Sequence, residues 1–367
     1  MFRVLSALAL VLPLLAASLP LCAAEKPIPI KVVVVTMFET GEDSGDDAGE
    51  FQRWNERLPL DTVFPAPHMH HDIHYNARLG VLGIVTGMGT ANAAASVMAL
   101  GLDPRFDLSQ AYWLVAGISG FDPADASLGS VAWAEYLVDG DLAHEIDARE
   151  IPDDWDTGYF PLFSQGPNDP KRKSYSLGEV FQLNSSLVEW AFQLTRDMAL
   201  PDDPALAATR KLYPDYPVAQ RTPFVLKGDQ LAAMTFWHGK LLNDWANAWT
   251  DYWTDGKGEF VSSAMEDTGT FQSLTYLHQA GKVDKNRVLV LRTASNFTMP
   301  PTGKSAAQYL REEQHDSYAG LDAALENAWL VGSKVVKELS ENWQKYATTT
   351  PSPAPASDSA PAPAPTN

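Results

Sequence analysis

Residues 30–36 read IKVVVVT, with no polar side chain between Val32 and Val35. Polar alternation marks a strand with one wet face. A continuous β-branched run marks a strand buried on both faces, with layers packed on each side of its sheet. Further strands are predicted at 111–115, 131–138, 224–227 and 288–291, and a hairpin at 72–79 and 81–86. Helices are predicted at 91–100, 177–198, 229–249, 267–280 and 320–345. This alternation predicts a single α/β domain with a central mixed β-sheet flanked by helices. Residues 144–220, rich in Pro, Asp and aromatics, read as an elaborated insertion.

The two ends read differently. Residues 1–24 carry Arg3, an apolar run and then Cys22-Ala23-Ala24, the pattern of a secretory signal cleaved after Ala24. Pro13 and Pro20 interrupt that run and argue against a retained anchor. Residues 348–367 are Thr, Pro, Ser and Ala in alternation and predict a disordered tail, leaving 25–347 as the folded domain. Cys22 is the sole cysteine, so cleavage removes disulfides, thiolate catalysis and cysteine metal sites together. A formal charge of −19 makes nucleic-acid backbones and anionic lipid poor partners. No other segment approaches the roughly 20 apolar residues that span a bilayer. The expectation is an exported protein, periplasmic or extracellular, with no membrane span in the mature chain.

Several motifs point to a polar small-molecule site. Met265-Glu266 opens the helix at 267–280, and the strand at 287–292 delivers Thr293-Ala294-Ser295-Asn296 at its end. Ligands of α/β sheets collect outside the carboxyl ends of strands and at helix N-termini. A carboxylate and an amide placed there suit a nucleoside, the first on sugar hydroxyls and the second on a base. Gly87-Met88-Gly89-Thr90 resembles a phosphate-cradling turn but lacks the dinucleotide fingerprint and the Walker lysine. Ala116-Gly117-Ile118-Ser119-Gly120 reads as a second glycine turn at the same sheet edge. The segment FETGEDSGDD carries Glu39, Glu42, Asp43, Asp46 and Asp47; it reads either as a solvated acidic loop or as the source of a carboxylate, Glu39 or Glu42, that activates water. His68, His70, His71 and His74 raise a metal site, but strand alternation puts His70 and His74 on one face and His71 on the other, so no metal is expected. Phe236, Trp237 and His238 could stack on a base. The stripe of Trp245, Trp249 and Trp253 reads as core or oligomer interface. Serine-hydrolase and zinc-protease signatures are lacking.

The motifs VVVVTMFETGED, HMHHDIHYN, TGMGTANAAAS, LVAGISG, KGDQLAAMTFWHG, SAMEDTGTF and RTASNF together resemble the purine nucleoside permease family over about residues 30–345. More distantly the chain is similar to the nucleoside phosphorylase and nucleosidase superfamily. That resemblance implies a nucleoside phosphorylase-like fold, with Met265 packing on the ribose and Glu266 hydrogen-bonded to it. It implies that Asn296 sits beside the purine N7 edge, oriented by Ser295. It also implies that Gly228-Asp229 brings the base-stacking segment into place. Leu231 stands where an aromatic is usual, so stacking moves to Phe236 or Trp237. Phosphorylases supply phosphate-binding arginines after the first strand and near the second glycine turn. Here the first loop is acidic and Val115 stands at the second position. Hydrolysis is therefore favoured, with phosphate, held by residues such as Arg78, as the alternative co-substrate. The expected protein binds purine nucleosides and cleaves their N-glycosidic bond without a cofactor. Gly87, Gly89, Thr90 and Gly117 would shape the sugar or anion pocket, in a chain able to form homo-oligomers. The alternative, which the family name implies, is a non-catalytic nucleoside-binding component of uptake.

Overall fold

The computed structural model describes residues 26–353 apart from 168, 170–177 and 317. The expected leader at 1–24 lies outside the described residues, as does the expected tail at 348–367 from residue 354 onward. Among the described residues twelve strands form the central sheet: β1 Val32–Thr36, β2 Thr62–Phe64, β3 Ile73–Asn76, β4 Val81–Val85, β5 Tyr112–Phe121, β6 Val131–Ala134, β7 Tyr136–Asp139, β8 Val180–Gln182, β9 Val225–Lys227, β10 Asp229–Ala232, β11 Phe260–Ala264 and β12 Val288–Phe297. Their main path runs β8-β7-β10-β11-β5-β1-β4-β3-β2, with β12 paired to both β5 and β6, and β9 to β6. The sheet is mixed: β1 lies parallel to β4 and β5, whereas β11 meets β5 antiparallel.

The helices are α1 Gln52–Arg57, α2 Thr90–Gly101, α3 Ser185–Thr195, α4 Pro204–Arg210, α5 Lys240–Thr254, α6 Asp267–Gln279, α7 Ala306–Asp316, α8 Leu321–Glu341 and α9 Trp343–Tyr346. Val32 to Val35 are fully buried, as their side chains require. They share one core with β4, β5 and β12 and with apolar residues of α1, α3, α6 and α8. Trp54 of α1 meets Trp329 of α8 edge-on, with ring centroids 5.3 Å apart.

Four sequence readings change. The glycine segment 116–120 is strand, because β5 runs on to Phe121 under cover of β12. The strand at 131–138 breaks at Glu135, where the Asp229 carboxylate accepts the Glu135 and Tyr136 N–H groups at 2.9 and 2.7 Å. The helix at 229–249 resolves into β10 and α5, since Gln230, Leu231 and Ala232 are buried between β7 and β11. The helix at 177–198 resolves into β8 and α3, which Asn184 caps by accepting the Ser186 and Leu187 N–H groups. Trp245, Trp249 and Trp253 of α5 are buried in a second core with Val138, Leu231 and Phe260. Among the described residues no helix is long and apolar enough to cross a membrane.

Candidate functional site

A pocket opens where β1 and β5 part. β1 pairs with β5 from Val32↔Tyr112 as far as Val35↔Val115; beyond that point β5 continues with β12 along its opposite edge, and β11 takes up the edge that β1 has left at Gly120 and Phe121. Such a divergence at strand carboxyl ends is where open α/β sheets bind ligands. The cavity of about 420 Å³ falls in the range of small-molecule sites. Its lining includes Met37, Glu50, Glu266, Arg292, Asn296 and Glu313.

Glu50 fills the gap between the parting strands. Its Oε1 accepts the Ile118 N–H at 2.7 Å and its Oε2 accepts the Met37 N–H at 2.8 Å. These are the backbone donors that strand pairing has left open. Gly117 makes the approach feasible, since a Cβ there would collide with Met37, Glu50 and Arg292. Gly117 is thus a close-approach position in a strand, and the expected turn is absent. Burial, reinforced by the charge of Glu266 and only partly offset by Arg292, pushes the Glu50 carboxyl up to about 8.

Glu266 enters from the other wall, at the mouth of α6. Its Oε1 accepts the Gly89 N–H at 3.0 Å, and its Oε2 lies 3.0 Å from Nη2 of Arg292. Gly87 and Gly89 hold φ of 83° and 90°, so the turn they form needs glycine, and it delivers that N–H to the carboxylate. Thr90 does not line the cavity; its hydroxyl donates to the Met265 carbonyl at 2.9 Å and fixes the Met265-Glu266 corner. Arg292 is buried and also donates to Asp267 through Nε at 3.1 Å and to the Ile118 carbonyl through Nη1 at 3.1 Å. Burial works against its charge, but Asp267, Glu266 and Glu50 outweigh that cost and hold the guanidinium pKa above its ordinary value.

Asn296 follows a bulge in β12, where the register with β5 shifts between Ala294 and Asn296. The extra residue re-aims the side chain. Ser295 Oγ lies 2.9 Å from Asn296 Oδ1 and 3.2 Å from the Ser119 carbonyl, which fixes the amide so that Nδ2 faces Gly120. At the mouth Phe236 lies parallel to Tyr318, with centroids 6.3 Å apart and planes 12° from parallel.

The structure thus gathers Met265, Glu266, Ser295, Asn296 and Phe236 from the sequence reading. It does not bring Glu39 or Glu42 to the pocket. The Glu39 carboxylate is taken up by the N–H groups of Thr40, Gly49, Phe51 and Gln52, and Glu42 is exposed on the loop. Trp237 packs against Trp245 and Phe260 in the second core, so the aromatic that lines the pocket is its neighbour Phe236. Asp229 serves backbone: it braces Glu135, Tyr136 and Glu259, and reaches no base. Arg78 lies in an exposed turn at the amino end of β4, away from the pocket. His71 and His74 share one partner, Asp43, at 2.9 and 3.0 Å, against the expected split across two faces, because the strand begins only at Ile73. Among the described residues no group of His, Cys, Asp or Glu is arranged to hold a metal ion.

Sequence reasoning missed Glu50, Arg292, Glu313 and Tyr318. One signal was available: an arginine within the apolar run VLVLRT must be paired if the strand is buried. Glu50 carries no local mark among the carboxylates of its loop.

Residues 29–351 match the sequence profile of the family described as purine nucleoside permease. The chain belongs to that family. A purine nucleoside permease of Candida albicans is 34% identical over 328 residues, covering 87% of this chain and 78% of the relative. A probable purine nucleoside permease of Schizosaccharomyces pombe is 30% identical over 291 residues, covering 77% of this chain and 82% of the relative. The chain is also similar to the solved methylthioadenosine/S-adenosylhomocysteine nucleosidase of Streptococcus pneumoniae. That match has 15% identity and a TM-score of 0.49, and covers 84% of this chain and all of the other. The pocket of this family member lies wholly within the matched residues.

Proposed function

We propose that this pocket binds a purine nucleoside and hydrolyses its N-glycosidic bond. The observation that carries the reading is the placement of two groups along β5. The Glu50 carboxyl is anchored at Ile118 and the Asn296 amide lies against Gly120, two residues further on. At the rise of an extended strand that separates the anchors by about 7 Å. Hydrolysis needs such a span, because attacking water and departing purine lie on opposite faces of the anomeric carbon. The family's descriptive name supports purine nucleosides as the ligand class.

Glu266 Oε2 accepts from both Arg292 and the Met265 N–H, whereas Oε1 accepts from Gly89 and keeps a lone pair free. Oε1 can accept a ribose hydroxyl while Met265 and Met37 pack on the sugar. Glu50 takes a proton from water as the new C–O bond forms. The C1′–N9 bond breaks with its electron pair passing to the purine. Asn296 Nδ2 donates toward the charge that builds on the ring, a preorganised electrostatic role. Phosphate is the poorer nucleophile here. The Arg292 donors are directed at Glu266, Asp267 and Ile118, and a phosphate dianion would face those carboxylates.

The test is incubation of purified protein with adenosine, guanosine and inosine, with and without phosphate, followed by chromatography of free base and sugar. The expected result is base release independent of phosphate, with ribose as co-product. Release that requires phosphate and yields ribose 1-phosphate would replace hydrolysis with phosphorolysis. Tight binding without release over hours would leave a nucleoside-binding component of uptake. The leader pattern at 1–24 supports an exported site of action, which sequencing the amino terminus of the mature chain would test.

A further inference from the structure

Asn296 can donate a hydrogen bond to the purine but holds no transferable proton. A neutral purine leaves readily only if a ring nitrogen is protonated as the glycosidic bond breaks. Some other group at the base end must therefore supply that proton, an inference that rests on the hydrolytic reading above.

Glu313 of α7 lines the same cavity as Asn296. It reaches that end because the segment after α7 is pinned there, with the Gly320 N–H donating to the Ser295 carbonyl at 3.0 Å. Tyr318 of this segment stacks on Phe236, and Tyr309 of α7 stacks on His238 with centroids 5.7 Å apart. Among the described residues Oε2 of Glu313 is buried without a hydrogen-bond partner. A half-buried carboxyl with one oxygen buried and unsatisfied at a cavity awaits a ligand.

We propose that Glu313 is the acid that protonates the departing purine. Its O–H bond breaks as a ring nitrogen takes the proton, C1′–N9 cleaves, and Glu50 accepts the proton of the attacking water. Water from solvent then resets both carboxyls. Burial alone pushes Glu313 up to about 8, so at neutral pH it holds the proton this step needs. Glu50 of the same cavity titrates in the same range, but as the base it shapes the rising limb of the profile; the side chains packed around Glu313 titrate elsewhere. Burial raises Tyr309 to about 12 and raises Tyr213 and Tyr318, while burial lowers His238 to about 4. Lys304 is paired to Glu312 at 2.6 Å.

The test compares two substrates in wild type and Glu313→Gln. Adenosine needs leaving-group protonation, whereas 4-nitrophenyl β-ribofuranoside releases a stable phenolate and does not. The variant is expected to lose about 100-fold or more on adenosine, the scale of general acid catalysis. It should stay within a few-fold of wild type on the nitrophenyl riboside and lose the alkaline limb of the adenosine pH profile. Equal losses on both substrates, or no loss on either, would overturn the proposal while leaving hydrolysis standing. A wild type that releases no base from any nucleoside would overturn the hydrolytic reading itself, and this one with it. If thermal melting shows that the amide unfolds the protein, Glu313→Leu carries the same comparison.

Discussion

Glu39 holds Glu50 in the pocket without entering it. The Glu39 carboxylate accepts N–H groups from Gly49, Phe51 and Gln52, the residues on either side of Glu50, the last two at 2.8 and 2.6 Å. Gly49 must be glycine for this to close, since a Cβ there would lie 2.7 Å from the Glu39 Cα. The acidic loop is thereby divided into a carboxylate that shapes the chain and one that lines the pocket.

Glu50→Gln keeps the shape of the side chain but cannot accept a proton. Base release should fall by about 100- to 10,000-fold, the range for loss of a general base. Nucleoside affinity, measured by calorimetry, should stay within a few-fold. Loss of both together would show that Glu50 serves binding.

Glu39→Ala should lower kcat about tenfold with affinity unchanged, because the Glu50 backbone loses its brace. Charge-assisted hydrogen bonds are individually strong, so urea denaturation should report a loss of about 2–4 kcal/mol. Glu39→Gln, which retains one acceptor oxygen, should recover part of both effects; a fully inactive Gln variant would contradict the positioning role.

Arg292→Met leaves Glu266 and Asp267 buried without their cation. Breaking a buried pair from one side costs about 3–5 kcal/mol, so thermal melting should show a large drop and nucleoside binding should vanish. Adding Asp267→Leu should restore part of the stability but none of the binding, since Glu266 still lacks its partner.

Phe236 and Trp237 are sequence neighbours with separate duties. Phe236→Ala should weaken nucleoside binding by about 1–2 kcal/mol, the scale of base stacking on an aromatic ring, and leave stability nearly unchanged. Trp237→Ala should do the reverse, costing about 2 kcal/mol of stability through lost packing at unaltered affinity. Exchange of these phenotypes would place the second core at the ligand.

The pH dependence follows from carboxyls raised by burial. Glu50 is active as a base only when ionised, so the rate of base release should climb with pH up to about 8. Stability should move the other way. In the unfolded chain Glu50, Glu313 and Asp125 are ionised above the ordinary carboxylate range. In the folded protein burial holds them protonated up to about 8, 8 and 7, Asp125 with help from the charge of Asp122. The native state binds more protons, so this contribution is complete below the ordinary range and is lost as pH rises through 7 and 8. Melting temperatures measured from pH 6 to 9 should therefore decline, and a rise over that window would refute the assignment.

The sequence by itself determined the layered α/β class, because a run such as Val32 to Val35 can be satisfied only by burial on both faces. It also placed Met265, Glu266 and Asn296 at the pocket, since each sits at a strand end or helix mouth, where local chemistry and location coincide. Glu50 could be chosen over Glu39 only from the tertiary structure. Both lie in one acidic loop, and what distinguishes them is which backbone donors each reaches: those of its own loop, or that of Ile118, 68 positions away in β5. Glu313 likewise has no local signature. Its unsatisfied oxygen and its raised proton affinity come from burial beside Tyr309 and Tyr318 and from α7 being tied back to Ser295. Burial and long-range pairing are properties of the folded chain, and they decide which of many carboxylates can do chemistry.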